Sequence, residues 1–405
     1  MIRTLLVLAA AAGLVAPAAA QKITVTGGAV DETNVVVTAR LPDGAASANT
    51  VTLPDGTHVP AQVSAGSLPT PKETTQYLVF VLPHLKAGQT VTVTPTMLNH
   101  MKPPPHFQFT ESSSDATDLA FDGRPVIRYF HPAHDPNDHF YTFKPFHHVF
   151  DPVEGKVLLT NGAAKTTKDG TFPHHRGLFY GWNKISYDNK TADVWHGNNN
   201  EFSQHDKALA TEAGEVLGRE RSAISWHGKD GQTFATEVRE LTTYAVPGGT
   251  LIDFASILST DRKSVKLDGD PQHAGFHFRA AMEVATKTAK ETYYLRPDGK
   301  GKLGDTRNWE AKGRDTKTVN LPWDAACIVV GGKRYTVLRV NHPDNPKEAR
   351  GSERDYGRFG DYFEYVLTPE KPLKVKYRVW VQPGEMTVEE CEAIQAAFVT
   401  PPAIK

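Results

Sequence analysis

The chain has 405 residues, long enough for a large buried core, and its length predicts one small and one larger domain. Its 45 Lys and Arg residues nearly balance 46 Asp and Glu residues, so no net field attracts nucleic acid or a membrane surface. We therefore expect recognition through local chemistry, with no nucleic-acid partner and no integral membrane association.

The first twenty residues have the pattern of a secretory signal peptide. A basic Arg3 precedes an apolar run from Leu5 to Val15, and three alanines end at Ala20. The apolar run is too short to span a bilayer permanently. We expect cleavage near Ala20 and an exported mature protein that is periplasmic or extracellular.

Residues 21–105 are predicted to form a small N-terminal β-sandwich domain. Short alternating segments such as TNVVVTARL and QYLVFVLP are separated by Gly, Pro, Asn and Asp, which is typical of antiparallel strands. No cluster of ionisable groups occurs here, so a supporting or binding role is expected. The three prolines of HMKPPPHFQF favour a stiff connector, and the domain boundary is placed there.

Residues 106–405 are predicted to form a second, larger all-β domain that carries the site. Segments such as RPVIRYF, GLFYGWNKI and HAGFHFRAAMEV indicate strands. Long antiparallel sheets cover their apolar faces with each other, which favours a large antiparallel β-sandwich. Two helices are predicted, DKALATEAGEVLGRE (206–220) and TVEECEAIQAAF (387–398), and the second begins with a capping box.

The chain contains two cysteines, Cys327 and Cys391. Two cysteines in a chain of this length do not make a disulfide scaffold. Cys391 falls on the apolar face of the predicted C-terminal helix, which favours a buried thiol. The sequence leaves open whether the two cysteines pair.

Histidines are concentrated in one part of the predicted larger domain. Imidazole is the side chain best suited to proton transfer near neutral pH and to metal binding. Of the 17 histidines, nine lie within residues 131–205, namely His131, His134, His139, His147, His148, His174, His175, His196 and His205. A site that uses histidine chemistry is therefore expected in this segment.

Strand alternation predicts a polar strip in HAGFHFRA (273–280). Successive residues of a strand point to opposite faces, so His273, His277 and Arg279 share one face and the apolar residues share the other. Gly275 would leave room for a ligand to approach the strip. The alternative, in which the strip merely faces water, stays open.

The segment PHHRGLFYGWNKI (173–185) joins basic residues to a run of aromatic residues. Exposed Tyr180 and Trp182 rings would stack on a sugar whose hydroxyls take charged hydrogen bonds. In the alternative interpretation these two rings are ordinary core residues. The predicted substrate contacts are Tyr180, Trp182, Asn183, Lys184, Trp195, His273, Arg354, Asp355 and Tyr356.

Metal binding is a secondary hypothesis, and no cofactor is predicted. The loop YFHPAHDPNDHF offers His131, His134 and His139 as candidate ligands of a divalent metal, but it lacks the spacings of known zinc motifs. The chain also lacks a nucleophile elbow, a phosphate-binding glycine loop and a dinucleotide fingerprint. These absences argue against serine hydrolases, kinases and nicotinamide enzymes.

The motifs PHHRG, WNK, VWHG, HAGFHFR, NHPDNP and RDYGRFG, in that order, resemble a family of exported bacterial proteins catalogued as PmoA-like. The resemblance covers roughly residues 120–398. The family name suggests a membrane-embedded methane oxygenase subunit, which the lack of apolar spans argues against. The resemblance implies a family of unknown function, a supersandwich like that of galactose mutarotases and a carbohydrate-related setting, without established catalytic residues.

Three functions stay open, each with a carbohydrate as the expected partner. The first is an exported lyase, epimerase or hydrolase in which histidine acid/base catalysis contributes about a hundred-fold to ten-thousand-fold in rate. The others are a non-catalytic glycan-binding protein and a metal-dependent enzyme that uses the histidines. The predicted catalytic residues are the acid/base pair His175 and His277, their substitutes His174 and His196, and the anion-stabilising Arg176 and Arg279.

Overall fold

The computed structural model describes residues 21–68, 75–310 and 314–405. The predicted signal peptide lies outside the described residues. Strands dominate the structure, and neighbouring strands pair in antiparallel fashion. The all-β fold class with large antiparallel sheets is therefore confirmed.

The described residues form 29 strands and two α-helices. The first strands are β1 (Ile23–Thr26), β2 (Glu32–Arg40), β3 (Thr50–Thr52), β4 (His58–Ala65), β5 (Gln76–Leu85), β6 (Thr90–Thr96), β7 (Phe107–Ser113), β8 (Ala116–Phe121), β9 (Arg124–Phe130) and, after helix α1 (His139–Thr142), β10 (Phe146–Val149). The middle strands are β11 (Leu178–Trp182), β12 (Lys184–Tyr187), β13 (Lys190–Ala192), β14 (Phe202–Ala213), β15 (Leu217–His227), β16 (Thr233–Tyr244), β17 (Thr250–Ser259), β18 (Val265–Asp268) and β19 (Ala274–Arg279). The last are β20 (Tyr293–Arg296), β21 (Gly299–Lys300), β22 (Arg307–Asn308), β23 (Trp323–Val330), β24 (Lys333–Asn341), β25 (Arg350–Arg354), β26 (Arg358–Tyr362), β27 (Tyr365–Leu367), β28 (Leu373–Pro383) and, after helix α2 (Val388–Val399), β29 (Ala403–Ile404).

Two nine-stranded sheets form the larger sandwich. Their strand orders are β22-β25-β26-β19-β11-β10-β9-β8-β7 and β14-β15-β16-β17-β28-β24-β23-β20-β21. Phe276 of the first sheet and Phe254 of the second stack at 4.4 Å between ring centroids, inside one shared apolar core. A four-stranded sheet, β13-β12-β18-β27, adds to this assembly.

The N-terminal sheet has the order β2-β5-β4-β3-β6-β1-β29 and therefore includes the end of the chain. Ile404 of β29 pairs with Val25 of β1. Ala397 of α2 lies in the same apolar cluster as Val35 and Phe80. The C-terminal helix and strand thus pack on the N-terminal sheet, although the sequence grouped them with the larger domain.

One of the two predicted helices is confirmed and the other is wrong. Helix α2 begins with the predicted capping box, in which Thr387 and Glu390 each accept a hydrogen bond from the other's backbone N–H. Residues 206–220 instead belong to the hairpin of β14 and β15. Hydrogen bonds between the two strands pair their backbone N–H and C=O groups. This pairing outweighs the modest helix propensity of the segment.

The predicted core face of β19 is confirmed, whereas the aromatic residues of β11 are not exposed. Phe276 and Phe278 lie in the main core, and so do Tyr180 and Trp182. The Tyr180 and Trp182 side chains are only 3% and 0% exposed. The expectation that they stack on a sugar is therefore corrected, and the alternative of core packing holds.

Gly275 makes room for a neighbouring strand and not for a ligand. Its φ is +94°, and a Cβ at this position would lie 1.9 Å from the carbonyl oxygen of Asp361 on β26. A Cβ at Gly360, also on β26, would lie 2.3 Å from the His277 ring. Close approach of two strands therefore explains both glycines.

Cys327 and Cys391 are both buried and free. The prediction of a buried thiol at Cys391 is confirmed, and no disulfide joins the pair. Among the described residues, no helix is both long enough and apolar enough to cross a membrane.

Candidate functional site

Three loops bring four histidines into contact. His174 and His175 precede β11, His196 follows β13, and His273 precedes β19. The His174 ring centroid lies 4.2 Å from that of His175 and 4.5 Å from that of His196, and the His196 and His273 centroids are 4.8 Å apart. We refer to these four residues as the histidine cluster.

A tight turn allows two consecutive histidines to join the same cluster. Phe172 has a φ of +53°, and the His175 N–H donates to the Phe172 carbonyl oxygen at 3.0 Å. Gly177 has a φ of +50°, and a Cβ there would lie 2.2 Å from the His147 carbonyl oxygen, so this position requires glycine. Strand β11 begins only after this turn, so strand alternation does not separate the two imidazoles.

The other two loops share a four-residue turn of the form D-x-x-H. Asp193 Oδ2 lies 2.8 Å from His196 Nδ1, and Asp270 Oδ1 lies 2.9 Å from His273 Nδ1. Both carboxylates also accept backbone N–H groups of their own turns. Each aspartate thus fixes the orientation of its histidine and leaves Nε2 as the nitrogen that can meet a ligand.

The two aspartates were not predicted, although a signal for them exists in the sequence. The tetrapeptides DVWH (193–196) and DPQH (270–273) place an aspartate three residues before a histidine in both cases. An aspartate in a turn commonly accepts backbone N–H groups, which is what both turns show.

Asn183 supports one of these turns. Its Nδ2 donates to Asp270 Oδ2 at 2.8 Å. Burial opposes ionisation of Asp270, but the hydrogen bonds from His273 and Asn183 bring its pKa down to about 2. Asn183 therefore lies behind Asp270 and not in the predicted position of a substrate contact, while Lys184 is exposed on β12.

His174 and His175 have ring nitrogens without partners. In the described part of the chain, both ring nitrogens of His175 lack a hydrogen-bond partner. The buried Nε2 of His174 lacks one as well. Burial, with neighbouring positive groups, lowers the pKa of His174 to about 2 and the pKa of His175 well below its usual value. Both rings are therefore neutral at neutral pH and carry a lone pair for a proton or a cation.

An aromatic pair borders the histidine cluster. The Phe172 and Tyr356 ring centroids are 4.9 Å apart, and they lie 6.0 Å and 6.3 Å from the His175 centroid. Phe172 is 45% exposed, and Tyr356 is half-buried. Arg354 and Asp355, which precede Tyr356, are also half-buried. Of the predicted substrate contacts, Tyr356 thus lies beside the cluster, and Phe172 joins it without having been predicted.

Trp195 and His277 form a buried layer against the cluster. Both are 0% exposed, and the Trp195 ring centroid lies 4.9 Å from that of His277 and 5.8 Å from that of His175. His277 Nε2 is 2.8 Å from the Ala274 carbonyl oxygen, and Nδ1 faces Arg358. Since its ring is enclosed and bonded, His277 is not the predicted acid/base partner of His175, and Trp195 is not a surface contact.

Arg176 and Arg279 bind main-chain carbonyls. Arg176 donates to the Tyr141 carbonyl oxygen at 3.1 Å and to that of the preceding residue. Arg279 donates to the carbonyl oxygens of Tyr356 at 2.5 Å and Thr171 at 3.1 Å. Both arginines are 0% exposed. They hold the loops around the histidine cluster, which replaces their predicted role in stabilising a substrate anion.

The histidines predicted as metal ligands do not come together as one group. His131 Nε2 lies 2.9 Å from Thr117 Oγ1, whereas His134 Nε2 lies 2.9 Å from His139 Nδ1. His139 Nε2 is in turn 2.5 Å from the Gly197 carbonyl oxygen. Within the described ranges, the group of potential ligands whose atoms lie within 4.8 Å of one another is His174, His196 and His273.

The chain belongs to a family of unknown function, DUF6807, whose model matches residues 116–396. The match includes the histidine cluster and most of both nine-stranded sheets. The expectation of a family of unknown function is confirmed, but the PmoA-like name is not part of this description.

Several solved structures are similar to the chain. An alpha-mannosidase from Enterococcus faecalis is 11% identical with a TM-score of 0.45, and the alignment covers 96% of this chain and 46% of that one. A putative aldose 1-epimerase from Escherichia coli K12 is 6% identical with a TM-score of 0.29, covering 69% and 99%. A galactose mutarotase-like protein from Clostridium acetobutylicum is 9% identical with a TM-score of 0.30, covering 67% and 94%.

The chain spans about half the length of the mannosidase that it matches. No match was found among curated protein sequences. At these identities and TM-scores, the similarities assign no activity to the chain.

Proposed function

We propose that this chain is an enzyme acting on a carbohydrate, with the histidine cluster as its reaction centre. The observation that carries the proposal is the convergence of four imidazoles from three loops. One of them, His175, is 1% exposed and has two unpartnered ring nitrogens among the described residues. Buried polar groups normally have hydrogen-bond partners, and an exception in a native fold calls for an explanation. A substrate that supplies the missing partner is such an explanation.

His175 is the proposed acid/base residue. Its ring lies nearly parallel to those of His273, at 18°, and Tyr356, at 16°. A neutral imidazole has one N–H donor and one lone pair, so it can remove a proton from a sugar hydroxyl or carbon and return it elsewhere. Lyase, epimerase and hydrolase reactions all require such proton transfer.

The neighbouring aromatic pair supports a sugar as the substrate. A sugar presents a C–H face to an aromatic ring and directs its hydroxyls toward polar groups. Phe172 offers an exposed ring, and the charged residues Arg354 and Asp355 directly precede Tyr356 in the chain. The predicted signal peptide would place this activity outside the cytoplasm.

The test uses the mature chain, beginning at Gln21, with a panel of glycans and keto-glycosides followed by mass spectrometry. We expect wild-type protein to convert at least one compound, and His175→Gln to reduce kcat by about 100-fold or more. Thermal unfolding of the variant verifies that it is folded. His106→Asn, at an exposed position, is the matched control and should keep wild-type turnover.

Two results would contradict the enzyme proposal. One is binding of a glycan with equal affinity by wild type and His175→Gln and no conversion by either protein, which would indicate a glycan-binding protein. The other is unchanged turnover in a folded His175→Gln variant.

A further inference from the structure

We infer that His174, His196 and His273 together bind one divalent transition-metal ion of the zinc type. The inference concerns the same site as the proposed function and rests on it for the role of the metal in catalysis. Metal binding itself is measured without a substrate, so the two proposals are tested separately.

The first argument is the geometry of the three imidazoles. Each offers one nitrogen, and the three nitrogens lie within 4.8 Å of one another. Metal–nitrogen bonds of about 2.0–2.1 Å in a tetrahedral site place the nitrogens about 3.4 Å apart. Closing the triad therefore requires shifts of about 1 Å, which small side-chain rotations supply. Imidazole nitrogens suit Zn²⁺, Cu²⁺ and Ni²⁺, whereas Mg²⁺ and Ca²⁺ prefer oxygen ligands.

The second argument is the carboxylate behind two of the three histidines. Asp193 holds His196 Nδ1, and Asp270 holds His273 Nδ1. Histidines that bind metals usually donate the other ring N–H to a carboxylate or a carbonyl, which fixes the ring and strengthens it as a ligand. Both D-x-x-H turns contain this aspartate–histidine hydrogen bond, so both have the arrangement that is usual behind a metal-binding histidine. Their two carboxylates also offset part of the charge of a bound cation.

The third argument is the unpartnered nitrogen of His174. Its Nε2 is buried and forms no hydrogen bond within the described residues. No described carboxylate bonds this histidine, but its ring contacts those of both His196 and His273, at centroid distances of 4.5 Å and 5.9 Å. A cation shared with the other two histidines would satisfy this nitrogen.

Three protein ligands characterise catalytic rather than structural zinc sites, because the fourth coordination position is left for water or substrate. His175, whose ring is 4.2 Å from that of His174, lies beside the three proposed ligands without being one of them. The metal would thus hold an oxygen atom of a water or a sugar next to the proposed acid/base residue.

The experiment measures metal binding to the mature chain after removal of bound metal with a chelator. Titration with Zn²⁺ or Co²⁺ by calorimetry, together with elemental analysis, should give one equivalent per chain, and Co²⁺ should show the visible absorption of a four- or five-coordinate ion. Mg²⁺ and Ca²⁺ should not bind at this site.

Five variants locate the site. His196→Ala and His273→Ala should lose the bound equivalent, and Asp193→Asn and Asp270→Asn should keep it but weaken the affinity about 10-fold to 100-fold. The asparagine variants retain an oxygen for the backbone N–H groups, so they separate the effect on the metal from the effect on folding. His134→Ala, which removes a histidine outside the cluster, is the matched control and should bind like wild type.

Absence of stoichiometric binding to wild type, or wild-type affinity in folded His196→Ala and His273→Ala, would overturn the metal site. One bound equivalent without turnover of any glycan would leave the metal site standing and count against the proposed function. Turnover without any metal binding would overturn the metal site and leave the proposed function standing.

Discussion

The histidines between residues 131 and 273 include two groups that differ in how their rings are bonded. The upstream histidines, His131, His134, His139, His147 and His148, each have at least one ring nitrogen bonded within the protein. In the histidine cluster, His175 has no such bond among the described residues, and His196 and His273 are each oriented by an aspartate. The nitrogens of His174, His196 and His273 lie within 4.8 Å of one another, whereas His131 and His134 bond different partners. Local density of histidine in the sequence therefore does not by itself bring imidazoles together.

The difference between the two groups predicts a large difference in activity. His273→Ala should reduce kcat/KM on a converted glycan by about 100-fold or more, because it removes a member of the proposed reaction centre. His134→Ala should change it by less than about two-fold, because His134 bonds His139 and stacks on Phe202 at 3.6 Å. Steady-state kinetics of the two variants measures the contrast. Similar losses in both would show that the two groups do not differ in function.

Arg176 connects the two groups and provides a second test. Its guanidinium donates to carbonyls of helix α1, next to the upstream histidines, while its backbone belongs to the turn that carries His174 and His175. Arg176→Met should lower the free energy of unfolding by about 3 kcal/mol, because the half-buried carbonyls of two residues lose their donor. Urea unfolding measures this loss. Arg40→Met, at an exposed arginine, is the control, and an equal effect in both variants would contradict the role of Arg176.

His148, one of the upstream histidines, makes the free energy of unfolding of the chain dependent on pH. Burial, followed by the neighbouring Arg128, lowers the pKa of His148 to about 4. Below pH 6.5 the unfolded chain binds a proton at this residue and the folded chain does not, so stability falls as the pH drops from about 6.5 to about 4, by up to about 3 kcal/mol.

The measurement for His148 is urea unfolding at several pH values. His148→Gln keeps a hydrogen-bonding side chain near Thr160 and should remove up to about 3 kcal/mol of the loss between pH 6.5 and pH 4. His106→Gln, at an exposed histidine, should leave the pH profile unchanged. A variant profile identical to that of wild type would show that His148 is not responsible.

The smallest expected effect concerns the aromatic pair beside the histidine cluster. Phe172→Ala should raise KM about 10-fold with kcat nearly unchanged, because stacking on one aromatic ring contributes about 0.5–1.5 kcal/mol. Leu209→Ala removes an apolar side chain of β14 that is 44% exposed and should leave KM unchanged. A fall in kcat without a change in KM would contradict a binding role for Phe172.

The amino-acid sequence determined much of the local structure by itself. The apolar alternation of HAGFHFRA fixed the core face of β19, and Thr387 with Glu390 fixed the start of α2, because both patterns depend on neighbouring residues of one segment. Residue type also carried information about the site, because an imidazole with a free nitrogen can transfer protons or bind metals near neutral pH. His174, His175, His196 and His273 were accordingly all among the predicted site residues.

Only the tertiary structure decided which polar side chains are free to act. His277, Arg176 and Arg279 resemble the residues of the histidine cluster in sequence, but the fold buries all three. His277 bonds the Ala274 carbonyl of its own strand, and the two arginines bond carbonyls of other segments. Partners of this kind come from residues distant in sequence, such as Tyr141 for Arg176 and Tyr356 for Arg279, and no local pattern records them. The availability of a nitrogen depends on the whole fold, because hydrogen bonding and burial are properties of three-dimensional neighbours.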